Sequence, residues 1–405
     1  MGYVWGLPAV GTGASNPLVL QNAADNDTLS LQDNGLFVFP TPLQVGANYS
    51  VSIQSQPVWA NCSVSANATG TLPAFDITVQ CNPEAWVSTL AIKGIDGIVV
   101  GIEFNLPAGV AVDSSGNVYL ADQGNNCIRE LTPNGGGTGT VVVGSVLGGE
   151  CWIAGGGTSA LSAPFNSPTG VAVDGSGNVY VADKGNSCIW EIAAGTATAV
   201  TLAGTCGTPG IFQAPSGVAV DVGGNVYVVD AGNSRIFKIS PSGSVAVLAG
   251  STGGYADGTG AAAQFLRPRG IAVDAVGNVY VADSGNNLIR RITPDGTVTT
   301  LAGTVAGGYA DGPAASAGFN SPYGVAADGS GNVYVADSGN NVIRKIADGV
   351  VSTLAGNGVT GYADGSAVTA EFALPWGVAV DGSGNVYVGD SGNNRVRYVA
   401  IPPSP

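Results

Sequence analysis

Histidine is missing from all 405 residues, and methionine occurs once. Without an imidazole, Ser-His-Asp or Cys-His catalysis in its usual form is excluded, and so is a His-ligated zinc or copper centre. Charge is scarce as well. Lys, Arg, Asp and Glu make 10% of the chain, with 13 basic against 28 acidic residues and a net charge of −15. That sign repels a phosphate backbone, which removes nucleic acid from the expected partners. No run of about 18 apolar residues offers a membrane-spanning helix. The opening "GYVWGLPAV" lacks the basic and long apolar regions of a secretory leader. Cysteine is limited to six (62, 81, 127, 151, 188, 206), with no C-x-x-C spacing. An even count of that kind predicts disulfides and an oxidising compartment: extracellular, periplasmic or cell surface.

Glycine is abundant at 64 residues, and hydrophobic residues reach 45%, enough for a core interrupted by many tight turns. The chain also repeats itself. "GNVYVADSGNN" stands at 277–287 and again at 331–341, and "GNVYVGDSGNN" at 384–394. A catalytic site needs each group once, so repetition predicts architecture first. Six units begin at Gly109, Gly170, Gly217, Gly270, Gly324 and Gly377, spaced 47 to 61 residues apart. Each unit reads as four short strands: "GVAVD", "VYVAD", a third such as "VIRKI" and a fourth such as "VVSTLAG". Phe104, Phe165, Phe212, Phe265, Phe319 and Phe372 each precede a proline by three residues, which predicts six core plugs between units.

The last unit stops after its third strand. Upstream, "VSTLAIKG" (87–94) echoes "VSTLAGNG" (351–358), and "DGIVVGIEFNLP" (96–107) matches "DGSAVTAEFALP" (364–375). Residues 87–92 are therefore predicted to supply the missing outer strand and to remove two open sheet edges.

Asp113, Asp174, Asp221, Asp274, Asp328 and Asp381 recur after the first strand, and Asp122, Asp183, Asp230, Asp283, Asp337 and Asp390 after the second. Asn125, Asn186, Asn233, Asn286, Asn340 and Asn393 recur in the turn that follows. Both residue types accept backbone N–H groups in turns, so the acidity is expected to be mostly turn chemistry. A "DGSGN" loop has one carboxylate, too few for a calcium loop of the EF-hand kind. Cys127 and Cys188 open their third strands, whereas Cys151 and Cys206 follow their fourth. In an antiparallel sheet these places adjoin, which predicts Cys127–Cys151 and Cys188–Cys206 bridges.

"GVAADGSGNVYVADSGNNVIRKI" (324–346) resembles the NHL-repeat family. The resemblance implies an all-β fold, a six-bladed β-propeller within 86–405. Family members include scaffolds, RNA binders, sensor domains and a few enzymes, so no single activity follows. The peptidyl-amidoglycolate and streptogramin lyases, which carry related repeats, depend on histidine, so those activities are not implied. Calcium-dependent lactonase propellers use carboxylate and Asn ligands. They supply the alternative expectation, a hydrolase or lyase with Ca2+ held by carboxylates at the central channel.

Residues 1–85 lack the repeat and read as short strands, "LVLQN", "LSLQDNGLFVFP", "YSVSIQSQP", "CSVSA" and "ITVQC". They resemble a small immunoglobulin-like β-sandwich of bacterial surface and secreted proteins. That resemblance implies a spacer or adhesion role and a Cys62–Cys81 bridge.

One-off chemistry is expected where the repeat varies. The residue between Pro and Gly at each unit start is Ala108, Thr169, Ser216, Arg269, Tyr323 or Trp376. Arg267 stands close by, and Lys184 fills a loop slot held elsewhere by Gln, Ala or Ser. Tyr255, Tyr309 and Tyr362 belong to repeated "GYADG" loops. Arg267, Arg269, Tyr323, Trp376 and Lys184 are the expected binding residues for a protein, peptide or glycan. The competing expectation is that they merely cap the ring. The sequence reading is thus a non-catalytic binding or scaffold protein with no metal-binding residues.

Overall fold

The computed structural model describes residues 2–5, 18–23, 27–31, 35–37, 48–55, 60–64, 69–71, 77–83, 85–90, 104–131, 139–144, 164–195, 199–208 and 210–401. Among them, no helix is long and apolar enough to cross a membrane. The chain divides into two compact units, one formed mainly by residues 1–86 and one mainly by 87–399.

The first unit contains two four-stranded sheets. One runs Gly35–Phe37, Gly2–Trp5, Ile77–Pro83, Ala60–Val64; the other runs Asp27–Leu31, Leu18–Asn22, Asn48–Ser55, Thr69–Thr71. Gly2–Trp5 pairs parallel to Ile77–Pro83, and the two short strands Gly2–Trp5 and Thr69–Thr71 had no counterpart in the sequence reading. Cys62 stands opposite Cys81 in the ladder and is disulfide-bonded.

The second unit holds six antiparallel sheets, here I to VI. Their second strands are Val118–Asp122, Val179–Asp183, Val226–Asp230, Val279–Asp283, Val333–Asp337 and Val386–Asp390, and every residue in them is buried. Burial on both faces explains why these strands read as near-continuous "VYVAD" rather than as strict alternation. The first strands are Pro107–Val112, Pro168–Val173, Pro215–Val220, Ile271–Val273, Pro322–Ala327 and Pro375–Val380. The turn joining first to second strand is built by its aspartate. In sheet V, Asp328 accepts the backbone N–H groups of Ser330 and Asn332 at 2.9 Å each, and Tyr334 donates its hydroxyl to Asp328 at 3.0 Å.

Apolar side chains fill the space between successive sheets. Phe165, Val179 and Trp190 meet Tyr119 and Ile128 between I and II, and Phe319, Val325 and Val333 meet Tyr280 and Ile289 between IV and V. The series returns to its start: Phe104, Val110 and Leu120 of sheet I pack with Ala379, Tyr387 and Val396 of sheet VI. Glycine opens each first strand because the neighbouring backbone leaves no room for a Cβ. A methyl at Gly109 would meet the Thr169 carbonyl at 2.7 Å, one at Gly170 the Gly217 Cα at 2.9 Å, and one at Gly377 the Ala108 carbonyl. Asn394 Oδ1 accepts the Leu106 N–H at 2.8 Å, tying sheet VI to sheet I. Each sheet itself stays open, since no ladder runs from one to the next.

Sheet VI takes Trp86–Thr89 beside its third strand, Arg395–Ala400, and Leu90 N–H donates to the Val396 carbonyl at 3.0 Å. Thr89 donates its hydroxyl to Asp364 at 3.1 Å, as Thr353 does to Asp311 at 3.1 Å in sheet V. The sequence "VST" of 87–89 is the same as that of 351–353 in sheet V, and residues 91–92 of the expected strand lie outside the described residues.

Candidate functional site

The repeated second-strand carboxylates are fully buried and held by hydrogen bonds. In sheet V, Asp337 is fully buried and accepts the Asn320 backbone N–H (2.8 Å), Asn340 Nδ2 (2.9 Å) and Arg344 Nη1 (2.9 Å). Arg344 is also fully buried; it spans to Asp311 at 2.6 Å and lies 5.2 Å over the Phe319 ring. Sheets IV and VI repeat the set with Arg290 between Asp283 and Asp257 and Arg397 between Asp390 and Asp364. Burial raises the Asp283, Asp337 and Asp390 carboxyls above their ordinary value, opposed by these hydrogen bonds. The six phenylalanines are the expected plugs, and four of them also face a buried guanidinium.

The sequence reading passed over these arginines. An arginine stands seven residues after the second-strand aspartate in sheets I, IV, V and VI, and that constant spacing was the available clue. Asp257, Asp311 and Asp364 each anchor one of these buried guanidinium groups from the outside.

Calcium at the central channel does not fit the residues present. The lower channel is walled by Val110, Val171, Val218, Ile271, Val325, Val378 and their neighbours, all Val, Ala or Ile, around a cavity of about 160 Å³. Hard cations require several oxygen ligands, and no cluster of three or more His, Cys, Asp or Glu suited to a metal occurs among the described residues.

The other mouth is different. Thr169, Ser216, Arg269, Tyr323 and Trp376 line it together with the six first-strand glycines, around a cavity of about 50 Å³. Tyr323 and Trp376 meet edge to face at 4.6 Å between ring centres, and the Arg269 guanidinium lies 5.1 Å over Tyr323. The structure therefore brings three of the predicted residues into one contiguous surface. Thr169 and Ser216 turn their hydroxyls to the next sheet, donating to the Pro215 and Pro268 carbonyls at 3.3 Å. Ala108 is fully buried.

Lys184 lies outside the lining of this mouth, in the turn Lys184–Asn186 after the second strand of sheet II. Burial, then the positive charge of Arg269, lowers its ammonium below the ordinary lysine value. In sheets IV and V the same slot holds Ser284 and Ser338, whose hydroxyls donate to the first-strand carbonyls of Pro322 and Pro375 in the next sheet. In sheet I the slot holds Gln123, whose buried Oε1 has no partner among the described residues. Arg267 is exposed, in the left-handed region at φ 48°, and does not line the mouth. Tyr255, Tyr309 and Tyr362 do not line it either. Tyr362 lies under Arg395 at 4.8 Å, and Tyr309 lies under Arg344 at 5.2 Å.

Cys188 and Cys206 form a disulfide across the third and fourth strands of sheet II. Cys127 is disulfide-bonded at the start of a third strand in sheet I; its predicted partner Cys151 lies outside the described residues.

Protein SUPPRESSOR OF QUENCHING 1 of Arabidopsis thaliana is 30% identical over 321 residues, covering 76% of this chain and 26% of that protein. NHL repeat-containing protein 2 of Bos taurus is 28% identical over 326 residues, covering 76% of this chain and 40% of that one. The chain thus spans well under half the length of these two curated relatives. Among solved structures, an auxiliary nutrient binding protein from Bacteroides thetaiotaomicron superposes with a TM-score of 0.61 at 14% identity, covering 99% of this chain and 97% of that chain. At that identity the likeness concerns the fold alone. Six segments match the NHL repeat: 104–131, 165–192, 212–239, 265–292, 319–346 and 372–397. Residues 104–397 are therefore an array of six NHL repeats.

Proposed function

We propose that this chain is a binding or scaffold module of the secreted or cell-surface kind. Its residues 86–405 form a six-bladed propeller closed by the strand at 87–92, and residues 1–85 form an immunoglobulin-like sandwich ahead of it. The glycine approaches around the channel, returning from Gly377 to Ala108, support the closed ring. The Cys188–Cys206 disulfide supports an oxidising compartment.

One observation carries the binding reading: Arg269, Tyr323 and Trp376, from three successive sheets, converge at one channel mouth and break the sixfold repetition there. A half-exposed indole and phenol beside a cation suit recognition of a peptide or glycan. The hydrolase or lyase alternative has no comparable support, because no carboxylate lines either end of the channel.

The test is a glycan array and a protein pull-down with the whole chain and with the Tyr323→Ala, Trp376→Ala double variant. Any ligand of the mouth should bind the variant at least about tenfold more weakly. Undiminished binding of every captured ligand would overturn the assignment.

A further inference from the structure

The mouth holds a charge that the protein does not balance. Arg129, Arg290, Arg344 and Arg397 each bond an aspartate, yet the Arg269 side chain has only the Tyr323 ring as partner among the described residues. Lys184 likewise has no ion pair there, although it is half-buried and feels Arg269's charge. Two like charges brought together in a partly desolvated place are unfavourable unless an anion joins them. No Asp or Glu lines the mouth to do so, in a chain with 28 of them. Thr169 and Ser216 have turned their hydroxyls away.

Resting on the reading of this mouth as a binding site, we propose that it takes a carboxylate group, contacted by Arg269 and walled by Tyr323 and Trp376, with the Lys184 ammonium adding to the positive field. A carboxylate matches a guanidinium fork in plane and spacing. The cavity of about 50 Å³ at the mouth has room for such a group. A single negative charge is also repelled less than a phosphate dianion by a protein of net charge −15. The carboxylate belongs to a free small acid or terminates a longer chain, and the chemistry at the mouth is the same for both.

The test uses the whole chain and two matched probe pairs, N-acetylglycine against N-acetylglycinamide and glucuronate against glucose, by calorimetry at low and high salt. An acid should bind about tenfold or more tightly than its neutral partner and weaken as salt rises. Arg269→Gln should remove that preference and Lys184→Gln should weaken it. Which pair responds identifies the source of the carboxylate. Equal binding of acid and neutral probe in both pairs, or an acid preference that survives both substitutions, would overturn the proposal. If a ligand captured by the array or pull-down needs Tyr323 and Trp376 but ignores both substitutions, the mouth is a binding site and the carboxylate assignment alone falls.

Discussion

Sheets V and III place the same buried aspartate in opposite company. Asp337 shares a guanidinium with the half-exposed Asp311, and Arg344 also donates to the Ala310 and Gly318 carbonyls. Seven residues after Asp230 stands Phe237 instead of an arginine, and Asp230 accepts the N–H groups of Gln213, Ala214 and Asn233. The junctions follow the same division. Asn287 and Asn341 accept backbone N–H groups of Ser321 and Leu374 in the following sheets, whereas sheets II and III carry Ser187 and Ser234 at that place. Sheet II has its disulfide, and sheet III has neither disulfide nor buried arginine. One fold is thus held by three different devices, and sheet III by the fewest.

The sharpest way to break this comparison is Asp337→Ala, which strands a buried Arg344. We expect a loss of about 3–5 kcal/mol in urea unfolding, against about 1–3 kcal/mol for Asp230→Ala, where only hydrogen bonds are lost. Equal losses would mean the guanidinium network adds nothing. Next, reducing the bridge that closes 18 residues between Cys188 and Cys206 should cost about 3 kcal/mol, with hydrogen-exchange protection lost in Val179–Ile192 but kept in Val333–Asp337. Asp311→Ala removes the other, 50% exposed partner of the same Arg344 and should cost less than about 1 kcal/mol.

The smallest effect is one that both groups of sheets share. Burial pushes the Asp174, Asp221, Asp274 and Asp328 carboxyls up, but hydrogen bonds from Asn178, Asn225, Asn278 and Asn332 outweigh it and hold them below the ordinary 3.8. A depressed folded value stabilises above the unfolded pKa and is lost as pH falls through the folded one. These four carboxyls alone should give a stability that is flat above about pH 5 and falls below it, while the raised Asp183, Asp283 and Asp337 of sheets II, IV and V act in the opposite sense. Hydrogen exchange at stepped pH should therefore show the steeper acid loss in sheet III, and equal losses across sheets II to V would break that expectation.

Most of the fold was legible because each strand carries its own pattern and each turn its own aspartate. Thr89 stands in the same "VST" as Thr353 and makes the matching hydrogen bond to an aspartate. The arginine network was not read, because a guanidinium in a third strand looks like an exposed edge charge until its two carboxylates are placed around it. At the mouth, Arg269, Tyr323 and Trp376 were found as breaks in the repetition. Arg267 was misplaced because adjacency in sequence says nothing about direction once the backbone turns through a left-handed residue.

The seam between Thr89 and Asp364 joins residues 275 positions apart. During synthesis the early partner leaves the ribosome long before the late one exists, so every intervening repeat must emerge before the latch can shut. Until then the third strand of sheet VI has no outer neighbour to pair with.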